Sequence, residues 1–343
     1  MDKINSKDFS EKLKILSSVA EHTSNVIALI VFTEDNKLIA RGNGIQIEVD
    51  FDHNLGQTFS LGIEKLTKLY SKIKQDTRLV LKDNVLEIRA GTFRSKQPLV
   101  NQEPGFEISP CIRPDNWSQA PSNLFEAINI CSSSLPTKFN FTSVIDNYCI
   151  VNSTLVSTDE RRATIFHLDE GIHPNLPISE QTGKLIVDLK LDKYFIGDYT
   201  VEFANEKYYI KASRINEPFP SLPNSLFERK FNFITSANDL LSAVEKVKLF
   251  SVNPEDTSFN EIFVYVSKNK IVMTSQNEFG SAKEKISANA EGDIDFHINA
   301  NYLIDILKVL DGEINLSLND MALIIRQENF IHVIALTQLV KGI

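Results

Sequence analysis

The sequence predicts an α+β protein built from one unit repeated three times, each copy with two helices packed on antiparallel sheets. Three observations carry this. Hairpin-like stretches begin at Asn25, Asn140 and Asn260, an even spacing well beyond the roughly 20–50-residue period of a solenoid. An amphipathic segment precedes each hairpin, and a further helix-then-hairpin passage follows it. Two proline-rich stretches, 103–122 and 216–227, separate the copies; proline suits extended connections better than sheet interiors. A chain of 343 residues is too long for one ordinary domain and comfortable for two or three. We therefore expect repeats at residues 1–115, 120–225 and 228–343.

Each copy follows one order of elements. In the first, Leu13, Leu16 and Ala20 fall on one helical face, and the hairpin from Asn25 to Gly44 turns through Glu34-Asp35-Asn36-Lys37. A second helix over 63–74 and a hairpin over 77–90 complete it. In the middle copy Leu124, Ile128 and Cys131 form the stripe, and the hairpin runs from Asn140 to Asp159. A short helix is expected within 188–196, followed by strands over 199–212. In the third copy Leu240, Val244 and Val247 precede the hairpin from Asn260 to Asn277. Leu303, Ile306, Leu307 and Leu310 then mark a helix before strands over 313–327.

Composition narrows the class of function. The chain is 42 % hydrophobic and 24 % charged, as in globular proteins, and runs such as Val26 to Phe32 are too short to span a bilayer. Met1-Asp2-Lys3-Ile4-Asn5 lacks the apolar core of a signal peptide. Cys111, Cys131 and Cys149 are too widely spaced for a CxxC or a disulfide framework, which points to a reducing cytoplasm. The six histidines show no HxH or HExxH spacing, so neither a metal nor another cofactor is expected. Gly42-Asn43-Gly44 lies in a strand-turn context without the lysine of a phosphate loop, and no Gly-x-Ser-x-Gly elbow occurs. These absences point to a binding protein with no catalytic residues. The net charge of −9 would repel nucleic acid, so DNA binding requires basic residues segregated onto one surface.

Five short motifs, in order on the threefold repeat, resemble the bacterial-type beta sliding clamp, the processivity subunit of replicative DNA polymerase. Arg89-Ala-Gly-Thr-Phe-Arg94 resembles "RSGRSRF", and Ser157-Thr-Asp-Glu-Arg-Arg-Ala163 resembles "ATDGHRLA". Glu217-Pro-Phe-Pro-Ser221 is similar to "GRFPD", Phe263-Val-Tyr-Val-Ser267 to "LYVS", and 296–307 to "FNVSYVLDVL". The resemblance covers nearly the whole chain. It implies two subunits closing head-to-tail into a ring, helices lining the hole, and closure covering exposed sheet edges. The segment from Thr92 to Val100 is then expected to meet the third repeat of the partner. Implied partners are double-stranded DNA without sequence preference, a replicative DNA polymerase, a clamp loader and a second copy, with no membrane. The altered pocket described next would also suit a diverged viral member of the family.

Channel residues implied by the resemblance are Lys12, Lys14, Lys65, Lys68, Lys72, Lys74, Lys190, Lys193, Lys246, Lys248 and Lys308. Lys65, Lys68 and Lys72 share one face beside Leu66, Leu69 and Ile73, so the lysines can face solvent. Lysine contacts to phosphate carry no base information, which suits sliding. A solvated helix face explains any one such stripe equally simply, and the helix over 123–133 has no cation at all. The partner cleft implied by the resemblance takes Thr158, Glu160, Arg161, Arg162 and Ala163, then Pro220, Asn224 and Ser225, then Ile334, Leu336, Thr337 and Gln338. Glu160-Arg161 replaces the family's Gly-His-like pair. Leu336-Thr337-Gln338 replaces an aliphatic-Pro-aliphatic ending, and Asn224 stands where arginine is common. A strand-end turn closed by a salt bridge accounts equally well for Thr158 and Arg162, and core burial for Ile334 and Leu336. The other open reading is a clamp-fold interaction protein that has lost ring closure or DNA sliding.

Overall fold

The computed structural model describes residues 3–20, 28–102, 107–136, 147–214, 222–251 and 260–337. The starts of the first two hairpins, the Glu217–Ser221 motif, Pro220 and Gln338 lie outside these residues. Asn5 opens α1 (Ser6–Val19): its Oδ1 accepts from the Lys7 and Asp8 amides at 3.0 Å, a cap that contributes about 1 kcal/mol. Phe9, Leu13, Leu16 and Val19 are buried along one face, and Ala20 follows as the C-terminal cap. Next come β1 (Leu29–Phe32), β2 (Lys37–Gly42), β3 (Ile45–Asp50), β4 (Phe59–Gly62) and α2 (Ile63–Tyr70). Asn43 and Gly44 take positive φ between β2 and β3, so the glycine-bearing stretch is a turn. Phe9 meets Tyr70 edge-on at 4.6 Å, joining the two helices, and packs at 6.2 Å on Phe32, which stacks on Phe59 at 4.8 Å within the sheet. A small hairpin sheet follows from β5 (Arg78–Lys82), β6 (Val85–Ala90) and β7 (Phe93–Pro98).

The middle copy comprises β8 (Ser118–Gln119), α3 (Leu124–Cys131), β9 (Asn147–Val151), β10 (Thr154–Thr158), β11 (Arg162–His167) and β12 (Leu176–Ser179). It continues through α4 (Glu180–Leu189), β13 (Lys193–Ile196), β14 (Thr200–Ala204) and β15 (Tyr208–Ser213). The helix expected within 188–196 is therefore displaced toward the N-terminus. Ser179 Oγ accepts from the Thr182 amide at 3.1 Å and starts the helix. Gly183, a poor helix former, hides the helical pattern from a propensity reading. It is needed there because a Cβ would lie 2.4 Å from the Tyr148 ring. Lys190 consequently follows α4 with φ +55°, and Lys193 opens β13; neither is helical.

The third copy runs β16 (Phe231–Ser236), α5 (Ala237–Lys248), β17 (Glu261–Ser267), β18 (Lys270–Asn277), β19 (Gly280–Ser287) and β20 (Asn289–Ala290). It ends with β21 (Ile294–Asn299), α6 (Ala300–Leu307), β22 (Glu313–Leu318), β23 (Ala322–Arg326) and β24 (Phe330–Ala335). Leu240, Val244 and Val247 on α5 and Leu303, Ile306 and Leu307 on α6 are buried, as their spacing predicts.

All the strand pairings are antiparallel, and the chain divides into two compact units. One unit, Met1–Ala120 with Asp188–Arg214, holds an eight-stranded sheet ordered β4-β1-β2-β3-β15-β14-β13-β8 and the sheet β5-β6-β7. The other, Pro121–Val187 with Ile215–Ile343, holds a nine-stranded sheet β12-β9-β10-β11-β24-β23-β22-β16-β20 and the sheet β19-β18-β17-β21. The cut falls inside α4, and the middle copy lends strands to both large sheets. Among the described residues no helix is long and apolar enough to cross a membrane, and no group of three or more His, Cys, Asp or Glu is placed to hold a metal ion. All three cysteines are free thiols.

Candidate partner cleft and lysine surfaces

Asp159, Glu160 and Arg161 turn the chain from β10 into β11, and local side chains hold the turn. Thr158 Oγ1 donates to the Arg162 carbonyl at 2.7 Å and accepts from the Glu160 amide at 3.1 Å. Asp159 Oδ1 accepts from the Arg161 and Arg162 amides at 3.0 and 2.9 Å. Glu160 has φ +68°, the left-handed region that glycine occupies without a Cβ penalty, here imposed on a glutamate at a cost of about 1–2 kcal/mol. Glu160 and Arg161 are exposed, whereas Thr158 and Arg162 are buried.

Arg162 is a structural anchor. Nε donates to Asp159 Oδ2 at 2.9 Å, Nη1 to Asp305 Oδ2 at 2.6 Å and Nη2 to the Leu135 carbonyl at 3.0 Å. Its guanidinium also lies 4.5 Å from the Tyr302 ring centroid. A buried cation needs full pairing, and Arg162 has it from the turn, from α6 and from the segment after α3. On this helix-facing side β24 contributes Ile334, opposite Arg162, and His332, opposite Thr164. His332 Nδ1 lies 2.8 Å from Thr164 Oγ1 and 3.4 Å from Ser134 Oγ. Burial, aided by the charge of Arg162, lowers its pKa to about 3, so the imidazole is neutral.

Strand alternation turns the intervening residues to the opposite face. Ala163 pairs with Val333 and Ile165 with Ile331, while Val333 also faces Ile324 across β23. Ala322, Ile324 and Val333 form a small apolar cluster, and half-buried Phe227 and Ile331 pack against it. The turn holding Asn224, Ser225 and Phe227 is tied down by Asn319, whose Nδ2 donates to the Glu228 carbonyl at 3.0 Å. Asn224 and Ser225 are exposed; Leu336 and Thr337 are half-buried where the chain leaves β24. Leu336 N bonds to the Met321 carbonyl at 2.8 Å and Thr337 N to the His297 carbonyl at 3.0 Å.

The described cleft candidates thus divide. Ala163 belongs to the apolar face, Glu160, Arg161, Asn224 and Ser225 to exposed turns, and Thr158, Arg162 and Ile334 to the buried framework. Pro220 and Gln338 lie outside the described residues. The residues that give this face its apolar character, Phe227, Ile331 and Val333, were missed. Alternation along Phe330-Ile331-His332-Val333-Ile334 was the available signal for the last two, since the polar residue marks the other face.

The candidate channel lysines also divide. Lys14, Lys65, Lys72, Lys74, Lys190 and Lys308 are exposed, with no ion pair to a described carboxylate; Lys72 and Lys74 lie beyond the end of α2. Lys12 is half-buried and paired with Asp8 at 3.0 Å and Asp52 at 3.8 Å. Lys68 pairs with Glu64, and Lys246 with Glu284 at 3.3 Å. Lys193 and Lys248 are half-buried. Exposed Lys184 gives α4 the cation that a helix over 188–196 would have drawn from Lys190 and Lys193.

No protein-family profile matches the chain. The beta sliding clamp of Mycoplasmopsis pulmonis (strain UAB CTIP) is 27 % identical over 182 residues, 49 % of this chain and 48 % of that protein. The match therefore spans about half of each. A DNA polymerase sliding clamp from Bacillus subtilis superposes with a TM-score of 0.82 at 18 % identity, covering 98 % of each chain. A sliding clamp (DNA polymerase III subunit beta) from Bartonella birtlesii bound to griselimycin gives 0.82 at 15 % identity, over 98 % of this chain and 99 % of that one. The chain has the sliding-clamp fold along nearly its whole length, and across about half of that length its sequence is similar to a bacterial beta sliding clamp.

Proposed function

We propose that this protein is a sliding clamp, a non-catalytic processivity factor that encircles duplex DNA and tethers a replicative polymerase. The observation that carries the reading is the fold, similar over 98 % of the chain to that of bacterial clamps. On this reading the three repeats are the three clamp domains. The exposed lysines Lys14, Lys65, Lys72, Lys74, Lys184, Lys190 and Lys308 meet phosphate, and a clamp loader opens the ring. Phosphate contact by lysine is independent of sequence and weakens with salt. The partner cleft is the apolar face of Ala163, Ile165, Ile331 and Val333 beside Phe227. Its apolar area supplies affinity, and the exposed turns at Glu160-Arg161 and Asn224-Ser225 orient the peptide. Ring closure uses β7, an outer strand of one small sheet, against β19 of another copy, an outer strand of the other.

Retention on nicked circular DNA with release on linearisation is the expected result. Equal retention on both forms would show that the protein does not encircle DNA. K65E/K72E should weaken retention and reduce its salt dependence by roughly two phosphate contacts. The second reading, a clamp-fold interaction protein without ring closure, is favoured by the pairing of Lys12, Lys68 and Lys246 with carboxylates. A particle that stays at 38.7 kDa under every condition would support it.

A further inference from the structure

The face of the nine-stranded sheet turned away from the helices changes character along its width. Residues directly opposite on neighbouring strands share a face. The row that begins with Ile165 on β11 and Ile331 on β24 continues through Arg326 on β23 and Asn315 on β22 to Ile234 on β16. Apolar over its first two strands, the row meets a cation on the third. Arg326, Arg229, Asn315 and Ile234 line a hollow of about 530 Å³, which exposed Glu328 also borders. Arg229 is exposed and Arg326 half-buried. Arg326 Nε is buried and has no hydrogen-bond partner among the described residues, and neither arginine forms an ion pair with a described carboxylate, Glu328 included. The Glu291 carboxylate is engaged by Asn232, another lining residue, whose Nδ2 donates to it at 2.9 Å. Burial and the like charge of Arg229 both lower the Arg326 pKa, although a guanidinium keeps its proton. Arg162 of the same sheet shows the contrast, since its Nε, Nη1 and Nη2 all donate to groups of its own chain. A partly buried cation left without a counter-charge is costly to the fold. In a chain of net charge −9 it points outward, to an anion that the chain does not itself supply.

We propose that Arg326, with Arg229 beside it, is a carboxylate subsite of the partner cleft, and that the peptide bound there carries an Asp or Glu side chain next to its apolar anchor. The inference rests on reading the face of Ala163, Ile165, Ile331 and Val333 as that cleft, and adds a charge requirement to it. Neighbouring strands lie about 4.8 Å apart, so Arg326 is one strand spacing from Ile331. An extended peptide advances about 3.3–3.6 Å per residue, so an anchor on Ile331 brings a carboxylate one or two residues away over Arg326. The planar guanidinium can meet that carboxylate through two parallel bonds. Apolar contact then supplies most of the affinity, and the arginine supplies the choice between peptides.

The probe is a phage-displayed library of random decapeptides selected on the full chain, with synthetic hits then measured by fluorescence anisotropy. Wild type should select apolar peptides that carry Asp or Glu at a fixed offset from the anchor. Changing that residue to Asn or Gln should weaken binding about tenfold on wild type and less than about twofold on R326M, and high salt should shrink the difference. R326K keeps the charge without the planar fork and should recover only part of the preference. R326M should be at least as stable as wild type in urea, because it removes a buried donor that has no partner, whereas loss of an arginine that serves the fold would destabilise. Selected peptides without acidic enrichment, or an equal Asn penalty on R326M, would overturn the subsite and leave the cleft standing. Peptides whose affinity I331D does not change would overturn the cleft reading and the proposal with it, as would a library that yields no binder.

Discussion

The two large sheets each contain a join between strands of different copies, and the two joins are inverted in polarity. At the β3–β15 join the helix-facing residues are apolar, with Ile47 opposite Ile210. The far face is polar: Glu48 lies opposite Tyr209 and Gln46 opposite Lys211. Glu48 is buried and answered by Lys37 at 3.6 Å, Arg113 at 3.8 Å and the Cys111 amide at 2.5 Å. Buried Glu202 accepts from Tyr209 Oη at 2.8 Å and pairs with Lys211 at 3.1 Å. The chain's own stretch around Ser109, Cys111 and Arg113 reaches this polar face: Gln46 Nε2 donates to the Ser109 carbonyl at 2.7 Å. At the β11–β24 join the polar residues Arg162, Thr164 and His332 face the helices, and the far face is apolar. Equivalent ladders thus serve different ends. A join whose polar groups are sealed under helices can offer an apolar face to a partner; one whose polar face is engaged by its own chain cannot.

This contrast can be broken in four places. Arg162→Ala strands Asp159 and the Leu135 carbonyl at a buried site and should cost about 3 kcal/mol in urea unfolding. A loss below about 1 kcal/mol would show the anchor to be dispensable. His332 gives the second join a pH response absent from the Ile47–Ile210 pair of the first. Its pKa is lowered on folding from 6.5 to about 3, so both states are neutral above pH 6.5 and carry no penalty there. As pH falls through 6.5 the unfolded chain takes up a proton that the folded chain refuses, and stability declines progressively toward pH 3. Between pH 7 and 5 this contributes a loss of about 2 kcal/mol, which His332→Asn should remove from the pH profile.

The third change, Ile331→Asp, should weaken binding of a polymerase-derived peptide about tenfold or more while the chain stays folded. Glu48→Gln, at the other join, should leave peptide affinity unchanged. Its own effect is the smallest, about 1 kcal/mol of stability, because Lys37 and Arg113 can still reach solvent. Equal loss of peptide binding in both variants would mean that the two faces are not functionally distinct.

Much of the fold was legible because the apolar stripes of α1, α3, α5 and α6 and the three hairpins are local patterns. The helix of the middle copy was misplaced because Gly183 is chosen by the Tyr148 ring, a contact distant in sequence that propensity does not encode. The cross-copy ladders β3–β15 and β11–β24 were invisible for the same reason: partners such as Arg162 and Ile334 are brought together only by the fold. At the candidate cleft, the turn at 158–163 was found from its motif. The division of its residues between an inward anchor and an outward rim required the register, and Phe227 became part of the surface only through its tertiary packing.

The passage of the middle copy's strands into both large sheets has a consequence for synthesis. The first compact unit is discontinuous, and its central strand β3 is paired on one side only, with β2, until β15 has been made. A chain emerging from the ribosome therefore carries an open sheet edge through nearly all of the second copy, and closes it only when residues 208–213 arrive. The copies cannot be excised as cassettes at their boundaries without leaving such an edge exposed. Nascent chains halted before β15 should be the aggregation-prone and chaperone-dependent species.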